Sequence, residues 1–226
     1  MIYGIKSNSI HNNGCNNGRY LFLGAQAEIM ERHEYKSYSK YTKVQRAGYD
    51  KKKSRIWANQ NNIKFICDNI LRDKYFIIDN GQGICHGVRT GKEIEWFLEY
   101  MPGWEVIGTE IGDSENDLIF QWDFNKENPK WINGFDFIYS NAFDHVYDPK
   151  ITLEIWSEQL KPGGIMIIEH SSGHEKATEL DPFGATAEDM EIMLAMYAKL
   201  KHIKKYTMPE KTSKKYKYQY AIMGIK

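Results

Sequence analysis

Two short stretches and one strand-end acid hold most of the residues able to position a nucleotide-like ligand in this 226-residue chain. The first, GQGICHGVRTGKE, is glycine-rich, and glycine is used where backbone must approach a ligand closely or take a positive φ. Two registers compete within it. Asp79-Asn80-Gly81-Gln82-Gly83 has the form acid-x-Gly-x-Gly, whereas Gly87-Val88-Arg89-Thr90-Gly91 sets its glycines directly before a helix signal at Lys92. The strand-end acid is Glu110, which closes the apolar segment EVIGTE and suits the two hydroxyls of a ribose. It lies 23 positions after Gly87 and 29 after Gly81, so the usual interval of about 20 favours the later register. The second stretch, Gln121-Trp122-Asp123-Phe124, sets an acid between aromatics: a polar handle and a π-face for an adenine ring, or else an Asp turn among core side chains.

Such residues converge only if strands and helices alternate along the chain. Tyr75–Ile78, Ile84–Cys85, EVIGTE, LIFQW, FDFIYS and IMIIEH are short apolar runs bounded by turn residues, as in buried parallel strands. Between them, GKEIEWFLEYM reads as an amphipathic helix stopped by Pro102-Gly103. PKITLEIWSEQL starts on Pro149 and is stopped by Lys161-Pro162-Gly163-Gly164, and AEDMEIMLAMYAKL follows Thr186 as N-cap. Upstream, Ser54–Leu71 has helical spacing with Ser54 as N-cap, and Gln26–Arg32 reads as helical. Tyr35–Lys53 shows no clear period and reads as a solvated connection or a lid over substrate. Ile203–Met208 and Tyr216–Ile225 flank a Lys-rich turn and predict a hairpin. The expected fold is α/β: a doubly wound, mostly parallel, Rossmann-like sheet of seven strands with a C-terminal antiparallel hairpin. Residues 1–73 form an N-terminal extension, a lid or arm, and residues 74–226 the ligand-binding domain. Chemistry is then expected at the carboxyl ends of the strands.

The order of these signals resembles class I S-adenosylmethionine-dependent methyltransferases over about residues 75–226. The likeness is clearest in FDFIYSNAFDHVYDP followed by LKPGGIMIIEH, which look like the family's fourth strand, its loop and the turn before the fifth strand. Two departures stand out. The family's acid-x-Gly-x-Gly-x-Gly loop is replaced by CHGVRTGKE, and its second-strand Asp is Glu110. The CHG-x-R-x-G-x-E form looks like a divergent branch with sugar-modifying members. The resemblance implies binding of S-adenosylmethionine by His86, Gly87, Arg89 and Gly91 at the methionine end. It places Glu110 and Ile111 at the ribose, Asp123 and Phe124 near adenine, and Ser140 and Asn141 beside the reacting methyl. Arg89 would meet the donor's carboxylate, or else pair with Glu93 at i+4.

No Asn/Asp-Pro-Pro-Tyr tetrad of the nucleic-acid amino-methylating kind follows FDFIYS. Asn141-Ala142-Phe143-Asp144-His145 stands there instead, which favours an oxygen acceptor with an imidazole base. His145 suits proton abstraction, an ordinary imidazole titrating near about 6.5, although a packing role is equally compatible with its place. Downstream, Glu169-His170-Ser171-Ser172-Gly173-His174-Glu175 concentrates ionisable groups. Asp144, His145, His170 and His174 are therefore the candidate catalytic groups, and Asp144, Glu169 and His170 a candidate divalent-metal set. The function expected is O-methylation of a sugar, glycan or other small hydroxyl acceptor. A dinucleotide-dependent oxidoreductase of the NAD type is the rival enzyme, opposed by the missing GxGxxG. A methyltransferase or binding module acting on nucleic acid is the third reading and is disfavoured.

Composition bounds these readings. The chain has 30 Lys+Arg and 30 Asp+Glu, but residues 1–73 carry +7, residues 74–200 carry −14 and residues 201–226 carry +7. A donor with net positive charge suits the acidic middle. The basic flanks read as solvated surface or, if they touch the acceptor, favour one bearing phosphate. Three dispersed cysteines (Cys15, Cys67, Cys85) argue against a disulfide framework. With no apolar run of about 18–20 residues and a polar N-terminal segment, the expectation is a soluble protein of the cytoplasm.

Overall fold

The computed structural model describes residues 30–72 and 80–226. Among them lie strands β1 (Met30–Arg32), β2 (Gln82–His86), β3 (Glu105–Glu110), β4 (Ile119–Gln121), β5 (Phe135–Ser140), β6 (Leu160–Ser171), β7 (Phe183–Ala185), β8 (Lys201–Thr207) and β9 (Gln219–Ile225). The helices are α1 (Tyr38–Lys52), α2 (Gln60–Ile66), α3 (Lys92–Tyr100), α4 (Pro149–Gln159) and α5 (Ala187–Met196). Seven strands form one sheet in the order β4-β3-β2-β5-β6-β9-β8. β2 through β6 pair in parallel, and β9 is antiparallel to both β6 and β8. The strand order reverses between β2 and β5, which opens a crevice at their carboxyl ends.

Alternation along each strand explains why the strands read as unbroken apolar runs. Phe137 and Tyr139 of β5, with Ile165 and Ile167 of β6, face one apolar cluster with Ile63, Ile66 and Phe97 of α2 and α3. Ile138, Met166 and Ile168 face the opposite cluster with Leu153, Trp156, Met190 and Met193 of α4 and α5. Both faces are covered, so the period of two carries no polar signature. The α5 N-terminus carries a full capping box, Thr186 and Asp189 each bonding the other's backbone amide.

Several boundaries depart from the sequence reading. Ser54 caps nothing: α2 starts at Gln60, where the Asn59 side chain accepts from the Asn61 amide at 2.9 Å. The helix closes with a π-turn over Cys67–Leu71. Residues 53–59 are connecting backbone and leave Ile56 and Trp57 exposed. Residues 30–32 are not helical but form β1, which finds its hydrogen bonds antiparallel to β7. Residues 26–29, the strand expected at 75–78, Asp79 and Cys15 lie outside the described residues. Lys161-Pro162-Gly163-Gly164 follows directly after α4, as expected of a stop, but forms the irregularity within β6 between Leu160 and Ile165 rather than a turn ahead of the strand. α4 ends at Gln159 and the chain enters β6 directly, with Gly163 at φ 82° and Lys161 paired to Asp136 at 2.7 Å.

Tyr35–Lys53, without an evident period in the sequence, contains the 15-residue helix α1. Its buried stripe is Tyr41, Gln45 and Tyr49, four residues apart, so the period is present but carried by side chains that also hydrogen-bond. Their polar tips are satisfied on the loops beneath: Tyr41 Oη donates to the His145 carbonyl at 2.8 Å, Tyr49 Oη to the Asp113 carbonyl at 2.6 Å and Gln45 Nε2 to the Leu180 carbonyl at 3.1 Å. No helix among the described residues is long and apolar enough to cross a membrane.

Candidate active site

The carboxyl ends of β2, β3, β5 and β6 border two adjoining cavities of about 140 and 50 Å3 that share Lys52, Gly87, Arg89, Ala142 and His145. The turn from β2 to α3 bends between them through three left-handed residues, Gly87 (φ 77°), Arg89 (φ 46°) and Gly91 (φ 75°). A Cβ at Gly87 would lie 2.6 Å from the Ala142 Cβ and 3.3 Å from the Phe124 ring, so both the conformation and the space require glycine. Glu110 clamps this turn from β3. One carboxylate oxygen accepts from the Arg89 amide and the other from the Ile111 amide, each at 2.8 Å. Burial pushes the Glu110 pKa up against the pull of those two donors.

The Arg89 guanidinium enters the cavities without a protein partner: Nε and Nη1 are buried and unbonded among the described residues. Burial lowers its pKa. One helical turn further, Glu93 is 4% exposed and its Oε2 also lacks a partner. Burial pushes its carboxyl up to about 8, Glu169 adding to the shift and Arg89 opposing it. The i to i+4 salt bridge between the two does not form. Each buried unsatisfied group costs about 1–3 kcal/mol, which a ligand presenting both an anion and a cation recovers.

In the smaller cavity, Glu110, Ile111, Asp123 and Phe124 face Tyr41, Gln45, Gly48 and Tyr49 of α1. Asp123 is held in place, its Oδ2 accepting from Tyr38 Oη at 2.6 Å and its Oδ1 from the Asn125 side chain at 2.9 Å.

His145 lines both cavities. Its Nδ1 lies 2.9 Å from Gln45 Oε1 and 2.9 Å from the Leu180 carbonyl, both of which only accept. Nδ1 therefore carries the proton of the neutral ring, and Nε2, 3.7 Å from Asp181 Oδ1, keeps its lone pair. Asp144 is next to it. Burial would raise its pKa, but His174 (3.9 Å away), His145 and His170 outweigh that and lower it.

No protein-family model and no curated protein sequence matches the chain. Solved structures do. A Burkholderia thailandensis 1,6-didemethyltoxoflavin-N1-methyltransferase, holding its substrate and S-adenosylhomocysteine, superposes with a TM-score of 0.68 at 13% identity, over 86% of this chain and 92% of that one. The CurJ carbon methyltransferase gives 0.57 at 15% identity over 79% and 57% of the two chains. A methyltransferase dependent on S-adenosylmethionine from Thermotoga maritima gives 0.55 at 16% identity over 84% and 100%. The chain has the class I methyltransferase fold.

Of the residues singled out in the sequence, Gly87, Arg89, Glu110, Ile111, Asp123, Phe124, Asn141, Asp144, His145 and His174 line the cavities. Gly91 supports them as the left-handed N-cap of α3. Others do not reach them. His86 is buried beneath the loop, stacked on Trp156 and held between Thr109 Oγ1 and Gln159 Oε1, both at 2.9 Å; burial drops its pKa to about 3. Ser140 is fully buried and donates to the His86 carbonyl at 2.9 Å, fixing the loop rather than lining the site.

The metal set suggested by the sequence does not assemble. Glu169 accepts from Tyr139 Oη at 2.7 Å, from Asn62 Nδ2 at 2.9 Å and from Gln219 Nε2, so its oxygens are occupied by donors. His170 is buried against His174 and Tyr218, its pKa lowered to about 3 by burial. Among the described residues the group with ligand atoms close enough for one ion is Asp144, His145 and Asp181. The sequence reading took Glu93 only as a partner for Arg89, Asp181 only as part of a turn walling the acceptor pocket, and Tyr35–Lys53 only as a connection or lid. The signal for Glu93 was present, since it shares one stripe of α3 with the buried Phe97.

Proposed function

We propose that the chain is an S-adenosylmethionine-dependent methyltransferase acting on a hydroxyl of a small or glycan acceptor, with His145 as the base. The observation that carries this is the pair of buried ionisable groups with unbonded polar atoms, the Arg89 guanidinium and the Glu93 carboxyl, at the glycine turn. They match the carboxylate and ammonium of the donor's methionine end. Glu110 then meets the ribose hydroxyls with its free lone pairs, and Ile111, Asp123 and Phe124 border the adenine. The bound donor supplies an electrophilic methyl group on a sulfonium. His145 Nε2 takes the acceptor hydroxyl's proton as that oxygen becomes the nucleophile, and Asp181 and Asp144 favour the resulting imidazolium.

The same pair argues against a dinucleotide. A diphosphate would seat at the α3 N-terminus, where it would meet the buried Glu93 and the neighbouring Glu95. Titration calorimetry separates the readings: S-adenosylmethionine and S-adenosylhomocysteine are expected to bind and NAD not to. Absence of binding by the first two would refute the proposal.

Gln45 acts through His145 as a positioning residue. In Gln45→Ala the imidazole loses one of its two Nδ1 acceptors, so turnover falls about three- to tenfold while donor affinity stays within about threefold of the parent. Unchanged turnover in a variant of unchanged donor affinity would show that Gln45 does not position the base.

A further inference from the structure

The larger cavity has two electrical characters. Its more buried floor is Asp144, Glu169, His145 and His174, whereas Arg55 is exposed and Lys52 half-buried at its edge, with Asp181 also lining it. Thr212 and Tyr216 line the same cavity and belong to the segment that carries Lys211, Lys214, Lys215 and Lys217. Neither Lys52 nor Arg55 has a salt bridge among the described residues. Lys52 ends α1, and the Arg55 amide donates to its carbonyl at 2.9 Å, so one tight turn presents both.

Trp57 follows on the same segment. It is 40% exposed, Ile56 is 48% exposed, and both line the cavity. The only ring contact of Trp57 among the described residues is the Arg55 guanidinium, 6.0 Å from its centroid. A large indole left half in water at the edge of a cavity, beside two unpaired cations, offers a flat stacking face next to an anion site.

We propose that the acceptor is a nucleoside diphosphate, free or esterified to a sugar. Its base stacks on Trp57, its diphosphate meets Lys52 and Arg55, and its reacting hydroxyl points inward to His145. The charge order supports this occupant. An acceptor anionic throughout would be repelled by the floor, and a neutral sugar would leave both cations and the indole unused. The orientation of the hydroxyl rests on the methyl-transfer reading; the stacking and diphosphate contacts do not.

The test is calorimetry on protein saturated with S-adenosylhomocysteine, using uridine diphosphate and guanosine diphosphate, bases unlike the donor's, with uridine, pyrophosphate and a single-stranded oligouridylate as controls. At least one diphosphate is expected to bind at least about tenfold more tightly than uridine or pyrophosphate. Its affinity falls as salt rises from about 50 to about 300 mM, because rim charges are screened. Arg55→Ala weakens the diphosphate and pyrophosphate but not uridine, and Trp57→Ala weakens the diphosphate and uridine but not pyrophosphate. Both variants keep their affinity for S-adenosylhomocysteine, which shows that they fold. The proposal is overturned if neither diphosphate binds, if both variants bind it as the parent does, or if the oligonucleotide binds more tightly. Should S-adenosylhomocysteine itself not bind, the donor reading fails separately. The same titrations on ligand-free protein then decide the rim: the two-variant pattern supports it and its absence overturns it.

Discussion

Arg89→Ala weakens S-adenosylhomocysteine binding by about 30–150-fold, the equivalent of about 2–3 kcal/mol for a charge-assisted contact in a buried site. Backbone strain does not confound the change, because arginine and alanine pay alike for φ 46°. The ligand-free variant melts no lower than the parent, since what disappears is a buried guanidinium with two unbonded nitrogens. A melting temperature that fell sharply together with affinity would mean that Arg89 holds the loop instead. Glu93 supplies the pH dependence. Its folded pKa, near 8, lies above the ordinary carboxylate value, so the ligand-free protein binds an extra proton between about 4.5 and 8 and loses stability as pH rises through that window. An ammonium group requires the ionised form. Donor binding therefore releases a proton near neutral pH, and affinity rises from about pH 6 toward 8. Calorimetry in buffers of different ionisation enthalpy reads the release, and Glu93→Gln abolishes it. A wild-type titration with no proton release would remove Glu93 from the ammonium site.

The sheet was legible because its evidence is redundant. FDFIYS and IMIIEH are largely apolar since helices cover both faces, and the cap Thr186 and Pro149 at the first helical position announce where those helices start. The glycine turn was legible for a related reason: left-handed backbone and a close approach at Gly87 admit little besides glycine. What the sequence hid is the part of the site carried by amphipathic side chains. The inward face of α1 is built from tyrosine and glutamine, whose apolar bodies pack while their tips bond to loops, and neither type registers on a hydropathy period. Ionic pattern misled in the opposite way. The cluster from Glu169 to Glu175 suggested ligands, but β-strand alternation and the end of β6 send Glu169 to the donors Tyr139, Asn62 and Gln219 and bury His170 elsewhere. Asp181, remote in sequence, comes to His145 only through the loop ahead of β7.

His145→Ala is expected to lower turnover at least about tenfold, read as label transferred from the donor to a glycan or nucleotide-sugar acceptor, with S-adenosylhomocysteine affinity within about threefold of the parent. The two halves of that expectation follow from different atoms of the same residue. Tyr41 anchors α1 to the His145 carbonyl, which alanine keeps. Gln45 retains its own bond to the Leu180 carbonyl, so the α1 face over the smaller cavity stays in place. What is lost is the Nδ1 contact to Gln45 Oε1 and the Leu180 carbonyl, together with Nε2 and the imidazole's capacity to take a proton. A loss of turnover at unchanged donor affinity separates this role from packing, which would move affinity and stability as well. Unchanged turnover would assign proton removal to another group, with His174 beside Asp144 the next imidazole along the cavity wall.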